Sequence, residues 1–234
     1  MKKIFFNLSL LPLKAVNVVL DLYVGGKRRP VFLDIDAVYP QLRQIDDKYD
    51  VIRDEMMRLL PEKDSIPRYH ELDAGQTDIS AETAHDWKVF MLFAMGEKPE
   101  QNRAKCPQTA EVLDQIPDLF QAFFSILDPG KHVPAHCGPY RGYLRYHLGL
   151  KVPANNQPSI RVKDQVYTWQ EGESVLFDDS WDHEVTNASD EIRVVLIVDI
   201  LRPMPTPFSN VNRVVTWIIR QAYAKGIAKK LSFA

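Results

Sequence analysis

Cysteine is scarce: Cys106 and Cys137 are the only two in 234 residues, and neither belongs to a CxxC pair. A disulfide scaffold is therefore excluded, and a reducing, cytoplasmic setting is the simplest expectation. A basic excess is also missing. The formal net charge is −2, so the phosphate backbone of a nucleic acid is not an expected partner. There are no internal repeats and no low-complexity tracts, which removes solenoids and disordered linkers. Nor is there an uninterrupted apolar run of about 20 residues, the length that crosses a bilayer. The N-terminus, MKKIFFNLSLLPLKAVNVVLDLYVGGKRRP, begins like a signal peptide. Asn7, Lys14, Asn17 and Asp21 break its apolar run, and no small-residue cleavage site follows. What remains is 45% hydrophobic and 26% charged, enough apolar surface for a single buried core.

Three segments follow from this composition. Residues 1–30 form an amphipathic, basic lead. It either lies in a membrane surface, with Lys27, Arg28 and Arg29 toward lipid headgroups, or packs on the rest of the protein. Residues 31–205 read as one catalytic domain. Residues 206–234 read as a basic amphipathic helix, with Arg213, Arg220, Lys225, Lys229 and Lys230 among Val214, Val215, Trp217, Ile218 and Ile219. The same two readings, interfacial or docked, are open for it.

Within the central domain, the pattern predicts mostly helix over 33–125. Residues 37–60 carry apolar side chains at helical spacing and stop at Pro61. Residues 80–95 predict a second helix, with Trp87, Phe90 and Phe93 on one apolar side. Residues 107–124 predict a third, interrupted at Pro117. From about residue 125 the character changes. Asp128-Pro129-Gly130 signals a turn, RGYLRYHLGLKV alternates like a strand, and SIRVKDQVYTW reads as a hairpin turning at Lys163-Asp164. GESVLFDD and EIRVVLIVDIL are further strands. The expected fold is mainly β, a barrel or jelly roll with flanking helices.

The chemistry-bearing residues lie in this strand-rich part, which holds His132, His136, His147 and His183. His136 sits in PAHCGP and His183 in DDSWDHEV, both beside turn signals at strand edges. A lone histidine is more often a hydrogen-bonded structural residue than a ligand. Two histidines with open positions, however, suit non-haem iron. That pattern usually adds a carboxylate two residues after the first histidine, where this chain has Gly138. Arg193 opens an apolar strand, with Val195 and Ile197 on its face. A guanidinium buried there needs a partner: a carboxylate ligand held bidentately, or an ion pair with Asp190 or Glu191. Period-two geometry puts Tyr143, Arg145 and His147 on one strand face and Leu144, Tyr146 and Leu148 on the other. The polar face either lines a cavity or meets solvent. Asp178, Asp179 and Asp182 precede His183 and could orient it. For Asp178 and Asp182 a solvated, turn-forming acidic loop is the favoured reading.

HVPAHCGP, YLRYHLGL, TWQEGESVLFDDSWDHEV and IRVVLIVD together resemble the aspartyl/asparaginyl β-hydroxylase family, over roughly residues 85–205. The resemblance implies a double-stranded β-helix dioxygenase with Fe(II) and 2-oxoglutarate as cofactor and co-substrate, consuming O2. It assigns iron to His136 and His183, with water in place of the carboxylate that Gly138 does not supply. It puts Ser125 and Arg193 at the distal carboxylate of 2-oxoglutarate and Arg145 and His147 at its metal-chelating end. Trp87 and Tyr143 become candidates for the substrate pocket. Members that hydroxylate proteins carry arginine at the position of Tyr143. Its loss here, with the two amphipathic ends, leans toward a membrane lipid acyl chain and a peripheral location at the inner membrane face. The alternatives are β-hydroxylation of Asp or Asn in a peptide or of a small amino acid, a non-catalytic cupin-like binding protein, or a membrane-surface adaptor around an inert core.

Overall fold

Apolar side chains alternating along extended segments build two facing antiparallel sheets in the computed structural model, which describes residues 11–81 and 85–221. In chain order the strands are β1 Phe32–Leu33, β2 Trp87–Ala94, β3 Leu119–Leu127, β4 His132–His136, β5 Tyr143–Lys151, β6 Ser159–Val162, β7 Gln165–Thr168, β8 Ser174–Phe177, β9 His183–Thr186 and β10 Arg193–Leu201. The larger sheet runs β1-β8-β5-β10-β3-β2 and the smaller β4-β9-β6-β7. From β3 to β10 the chain switches repeatedly between the sheets, which is the winding of a double-stranded β-helix, as expected. The principal helices are α1 Leu11–Val24, α2 Tyr49–Leu59, α3 Pro107–Asp114 and α4 Phe208–Ile219.

The larger sheet is buried on both faces. Leu144, Tyr146 and Leu148 of β5 and Leu196 and Val198 of β10 point outward, against Met56 of α2 and Leu113 of α3. Tyr143, Phe123, Val195 and Ile197 point inward and meet Ile160, Val162 and Val185 of the smaller sheet. Each such aliphatic or aromatic side chain contributes roughly 1.5–3 kcal/mol by leaving water. The alternation of β5 is as the sequence predicted, and the face carrying Arg145 and His147 is the barrel interior rather than solvent.

Two predicted helices are corrected. Residues 80–95 become extended at Trp87, and residues 107–124 divide into α3 and β3 around Ile116-Pro117. Both strands are covered on both faces, so they carry continuous apolar runs that periodicity cannot separate from a buried helix. In β2, Trp87 faces the barrel interior while Phe90 and Phe93 face the helices, so the three do not share a side. The predicted 37–60 helix survives as α2, preceded by shorter turns around Pro40. The hairpin at 163–164 forms, with Lys163 at a φ of 55° in its turn.

Both terminal helices are seated on the barrel. Leu20 of α1 is fully buried, and the Asn17 amide donates to Pro139 O (3.0 Å) and accepts from Arg141 N. In α4, buried Asn212 accepts from the Tyr140 hydroxyl (2.8 Å) and donates to Gly142 O (2.6 Å). Lys27 and Arg28 are exposed. Arg29 does not face outward as the headgroup reading required. It is buried against Asp178. No described helix is long and apolar enough to cross a membrane. Residues 1–10 and 222–234, with Lys225, Lys229 and Lys230, lie outside the described residues.

Candidate active site

His136 closes β4 and His183 opens β9, and the antiparallel register pairs them directly. Their ring centroids are 4.2 Å apart. The Nδ1–H of His136 donates to Pro134 O (2.8 Å) and that of His183 to Trp181 O (2.9 Å). A carbonyl only accepts, so each proton resides on Nδ1 and each Nε2 keeps its lone pair. Burial pushes His183 down to about 3, helped by the neighbouring His136, and burial lowers His136 as well. Both rings therefore stay neutral, the form that ligates a metal.

The place of a third ligand is filled in an unexpected way. A Cβ on Gly138 would lie 2.5 Å from Asp179 Oδ1. The Asp179 carboxylate, entering from the loop before β9, thus occupies the space beside the backbone at 138. Its Oδ2 accepts from the Tyr143 hydroxyl (3.2 Å) and pairs with Arg145 Nη1 (3.2 Å). Its Oδ1 is buried with no hydrogen-bond partner. Burial pushes this carboxyl up to about 7 against the pull of Arg145. Among the described residues no three His, Cys, Asp or Glu side chains gather at one point. The two imidazoles are the direct ligands on offer, and the orphaned Asp179 oxygen lies beside Gly138. This donor set fits a divalent metal that completes its coordination with water and a small chelating ligand.

The imidazoles open into a cavity lined also by Trp87, Ser125, Arg145, His147 and Arg193. The structure therefore brings together seven of the eight site residues that the sequence proposed. Tyr143 does not line the cavity and reaches it only through its bond to Asp179.

Arg193 is 2% exposed and has no carboxylate partner among the described residues. The ion pair considered for it does not form, because Glu191 binds Lys151 at 2.7 Å. Its Nε is unpartnered, its Nη1 donates weakly to Ser125 Oγ (3.5 Å), and its Cζ lies 4.5 Å from the centre of the Trp169 ring. Burial lowers its pKa to about 9, which still leaves it protonated at neutral pH. An uncompensated buried cation is costly, so an anionic ligand is the chemistry this side chain lacks. Ser125 Oγ also accepts from Trp87 Nε1 (3.0 Å). With two donors already aimed at it, its own proton is free for a carboxylate.

His147 sits between Trp169 and Phe177, and neither ring nitrogen has a partner. Burial, with Arg145 and Arg193 nearby, holds it far below its ordinary pKa and neutral. Arg145 is gripped by Asp199 through Nε and Nη2, both at 2.8 Å. Asp199 was missed, although alternation from Arg193 through Val195 and Ile197 leads to it. Trp169 was missed too, and its indole N–H is another unpartnered donor.

Asp178 overturns the solvated reading. It is fully buried, bound by Arg29 Nε (2.9 Å) and Arg202 Nη2 (2.7 Å). Arg29 also donates to Ser180 O (3.0 Å) and lies 3.5 Å over the Trp181 ring, whose backbone carbonyl holds His183. A residue far away in sequence thus fixes the loop that orients a proposed ligand. Asp182 behaves as read, half exposed and paired with Arg161.

The family model for aspartyl/asparaginyl beta-hydroxylase matches residues 46–203. The ornithine lipid ester-linked acyl 2-hydroxylase of Rhizobium tropici is 44% identical over 177 residues, 75% of this chain and 62% of that protein. The human aspartyl/asparaginyl beta-hydroxylase is 30% identical over 189 residues, 78% of this chain and 24% of that protein. The match thus spans about three fifths of the one relative and about a quarter of the other. Among solved structures, a cupin domain of a transcriptional regulator from Enterobacter cloacae overlays with a TM-score of 0.35 at 14% identity, covering 50% of this chain and 98% of that one. Because the family match runs through every strand from β2 to β10 that builds the pocket, this chain belongs to the aspartyl/asparaginyl β-hydroxylase family.

Proposed function

We propose that the protein is an Fe(II)- and 2-oxoglutarate-dependent dioxygenase that hydroxylates an unactivated C–H bond of a membrane lipid acyl chain, with residues 31–205 as its catalytic domain. The observation that carries this reading is the buried Arg193, without a carboxylate of its own, in the same cavity as the His136 and His183 imidazoles, whose Nδ1 atoms are engaged by backbone carbonyls.

Iron, when bound, supplies oxygen activation coupled to oxidative decarboxylation of 2-oxoglutarate, and hydroxylation of the substrate carbon follows. The chain's own residues do the rest. His136 and His183 hold the metal through Nε2, their orientation fixed by the carbonyls of Pro134 and Trp181. Asp179 Oδ1, buried without a partner beside Gly138, would accept a hydrogen bond from a water brought in with the metal. Arg193 and Ser125 bind the distal carboxylate, a charge-assisted contact of the strong kind. His147 and Arg145 serve the end nearer the metal, with Asp199 locking Arg145 in place. Phe177, Val133, Ile160 and Val185 close the cavity against bulk water.

Two features support a lipid over an acidic side chain. The rhizobial relative is named as an acyl hydroxylase. Moreover, the cavity has no cation to spare: Arg145 is shared between Asp199 and Asp179, Arg193 is taken by the co-substrate in this reading, and position 143 is tyrosine. The human relative's name makes hydroxylation of Asp or Asn in a peptide the second reading. Incubation with Fe(II), 2-oxoglutarate and O2 in the presence of a cell lipid extract, with a peptide extract in parallel, decides between them by mass spectrometry. The expected result is succinate plus a one-oxygen gain in lipid, both lost in His183→Ala. A gain only in peptide would transfer the assignment, and no succinate from any arm would remove it.

A further inference from the structure

The surface around α1 and α4 is unlike the rest of the molecule. Val18 (67% exposed), Leu22 (81%) and Tyr23 present apolar surface on α1, and Val214 (58%), Trp217 (60%) and Ile218 do so on α4. The spacing is one helical face in each case, i to i+4 on α1 and i to i+3 and i+4 on α4. The opposite faces are already used against the barrel, through Leu20 on α1 and Asn212 and Thr216 on α4. These side chains are therefore surplus to the fold. The two helices meet where Tyr23 stacks on Phe208 at 5.6 Å. An apolar patch of this kind on a soluble domain marks a contact surface.

Charge identifies what it contacts. Residues 203–234 contain five basic and no acidic side chains, and residues 1–33 contain six basic and one acidic. The single acid, Asp21, is paired with Arg141. Residues 34–202 carry the reverse, eighteen basic against thirty acidic. A nearly neutral chain is thus strongly polarised along its sequence, and the exposed apolar helices fall within its two cationic ends. Lys14, Lys27, Arg28 and Arg213 are exposed on or beside these helices. Apolar side chains interleaved with cations match a bilayer that has anionic headgroups over an acyl interior.

We infer that α1 and α4 together form a docking face for an anionic lipid bilayer, and that this face sets the mouth of the pocket against the lipid. The link to the pocket is the 139–142 segment, three residues beyond His136. Asn17 holds it from α1 at Pro139 and Arg141, and Asn212 holds it from α4 at Tyr140 and Gly142. The docking face rests on surface chemistry alone. Only the orientation of the mouth toward an acyl chain rests on the lipid-hydroxylase reading.

The test is flotation of the full chain with vesicles of phosphatidylcholine alone or mixed with an equal part of phosphatidylglycerol. The wild type is expected to float with the mixed vesicles, at least about tenfold less with phosphatidylcholine alone, and less again in high salt. Trp217, the most exposed tryptophan, is expected to shift its emission to shorter wavelength on binding. Leu22→Ser with Trp217→Ser, and separately Lys27→Glu with Arg213→Glu, are expected to lower binding by about tenfold or more. Succinate formation in the absence of lipid should stay at the wild-type level, which shows that both variants fold. Equal flotation of wild type and variants, or no flotation of the wild type, overturns the inference. So does a wild-type dimer that the serine variant dissociates, since a second copy would then cover the face. His183→Ala is expected to float like the wild type while losing succinate formation. In the wild type, flotation without any succinate formation leaves the docking face standing and removes the hydroxylase, and succinate without flotation does the opposite.

Discussion

Replacing Arg193 with methionine keeps an extended side chain beside Trp169 and removes the charge. Two effects of opposite sign are expected. A charged hydrogen bond contributes about 1.5–3 kcal/mol, so the KM for 2-oxoglutarate should rise by about 10- to 150-fold, with a smaller change in kcat. The metal-free, ligand-free protein should melt no lower than wild type, because the lost charge had no carboxylate to compensate its burial. Steady-state kinetics and a thermal melt check the two arms, and a lower melting temperature with unchanged KM would make Arg193 a structural residue. His147 allows a pH prediction. Its folded pKa lies well below the ordinary 6.5 because of burial, so below pH 6.5 the unfolded chain takes up a proton that the folded state refuses. Stability from this group is present above 6.5 and is lost as the pH falls, by about 1.4 kcal/mol per unit until the folded pKa is reached. Metal-free wild type should thus lose more stability than His147→Phe between pH 7 and pH 5, as read by denaturant titration. Parallel losses in the two would contradict the assignment.

At the scale of elements, the strands carry the pocket, but a residue outside them holds the key loop. Arg29, just after α1, ties Asp178, Ser180 and Trp181 together, and Trp181 O orients His183. Arg29→Met should destabilise the protein by about 2–3 kcal/mol, below the roughly 3–5 kcal/mol of a fully orphaned buried charge, because Arg202 still pairs with Asp178. It should also weaken metal binding, and Arg29→Lys should restore part of the stability but little of the affinity. Denaturant melts and metal titration read the two losses separately. One consequence is practical. Deleting residues 1–30 cannot isolate membrane contact, because it removes Arg29 and the buried Leu20 together. Point variants on the exposed face of α1 are the appropriate instruments.

At the scale of the whole molecule, the barrel is complete around a cavity whose polar atoms are left waiting. His147 Nδ1 and Nε2, Arg193 Nε, Trp169 Nε1 and Asp179 Oδ1 are all buried and unpartnered. A native interior tolerates few such groups, so ligands should stabilise this fold strongly. A metal and a diacid that bind the folded state alone would each add about 2.7 kcal/mol at a free concentration one hundred times Kd. Adding Fe(II), or redox-inert Zn(II), together with 2-oxoglutarate should raise the melting temperature in scanning calorimetry. Chelator should reverse the rise, and His136→Ala should abolish it. A melting temperature indifferent to both would leave the cavity without its proposed occupants.

Strand pattern gave a mainly β barrel or jelly roll, and the family resemblance named its double-stranded winding and most of the residues that line its cavity. Period-two alternation put Arg145 and His147 on one face of β5 and Arg193 with Val195 and Ile197 on one face of β10, while leaving open whether those faces met a cavity or solvent. The family resemblance implied a two-histidine centre at His136 and His183, with Gly138 in the place of the usual carboxylate. The remainder came from packing. Strands β2 and β3 are buried on both faces, so their side chains carry no period from which extension could be told from helix. Asp178 and Arg29 lie 149 residues apart, and whether an acidic loop is solvated or buried depends on where a distant cation arrives. That Asp179 fills the space beside Gly138 is likewise a fact of two loops meeting. Sequence states which groups an element presents, and packing states which of them are left without a partner.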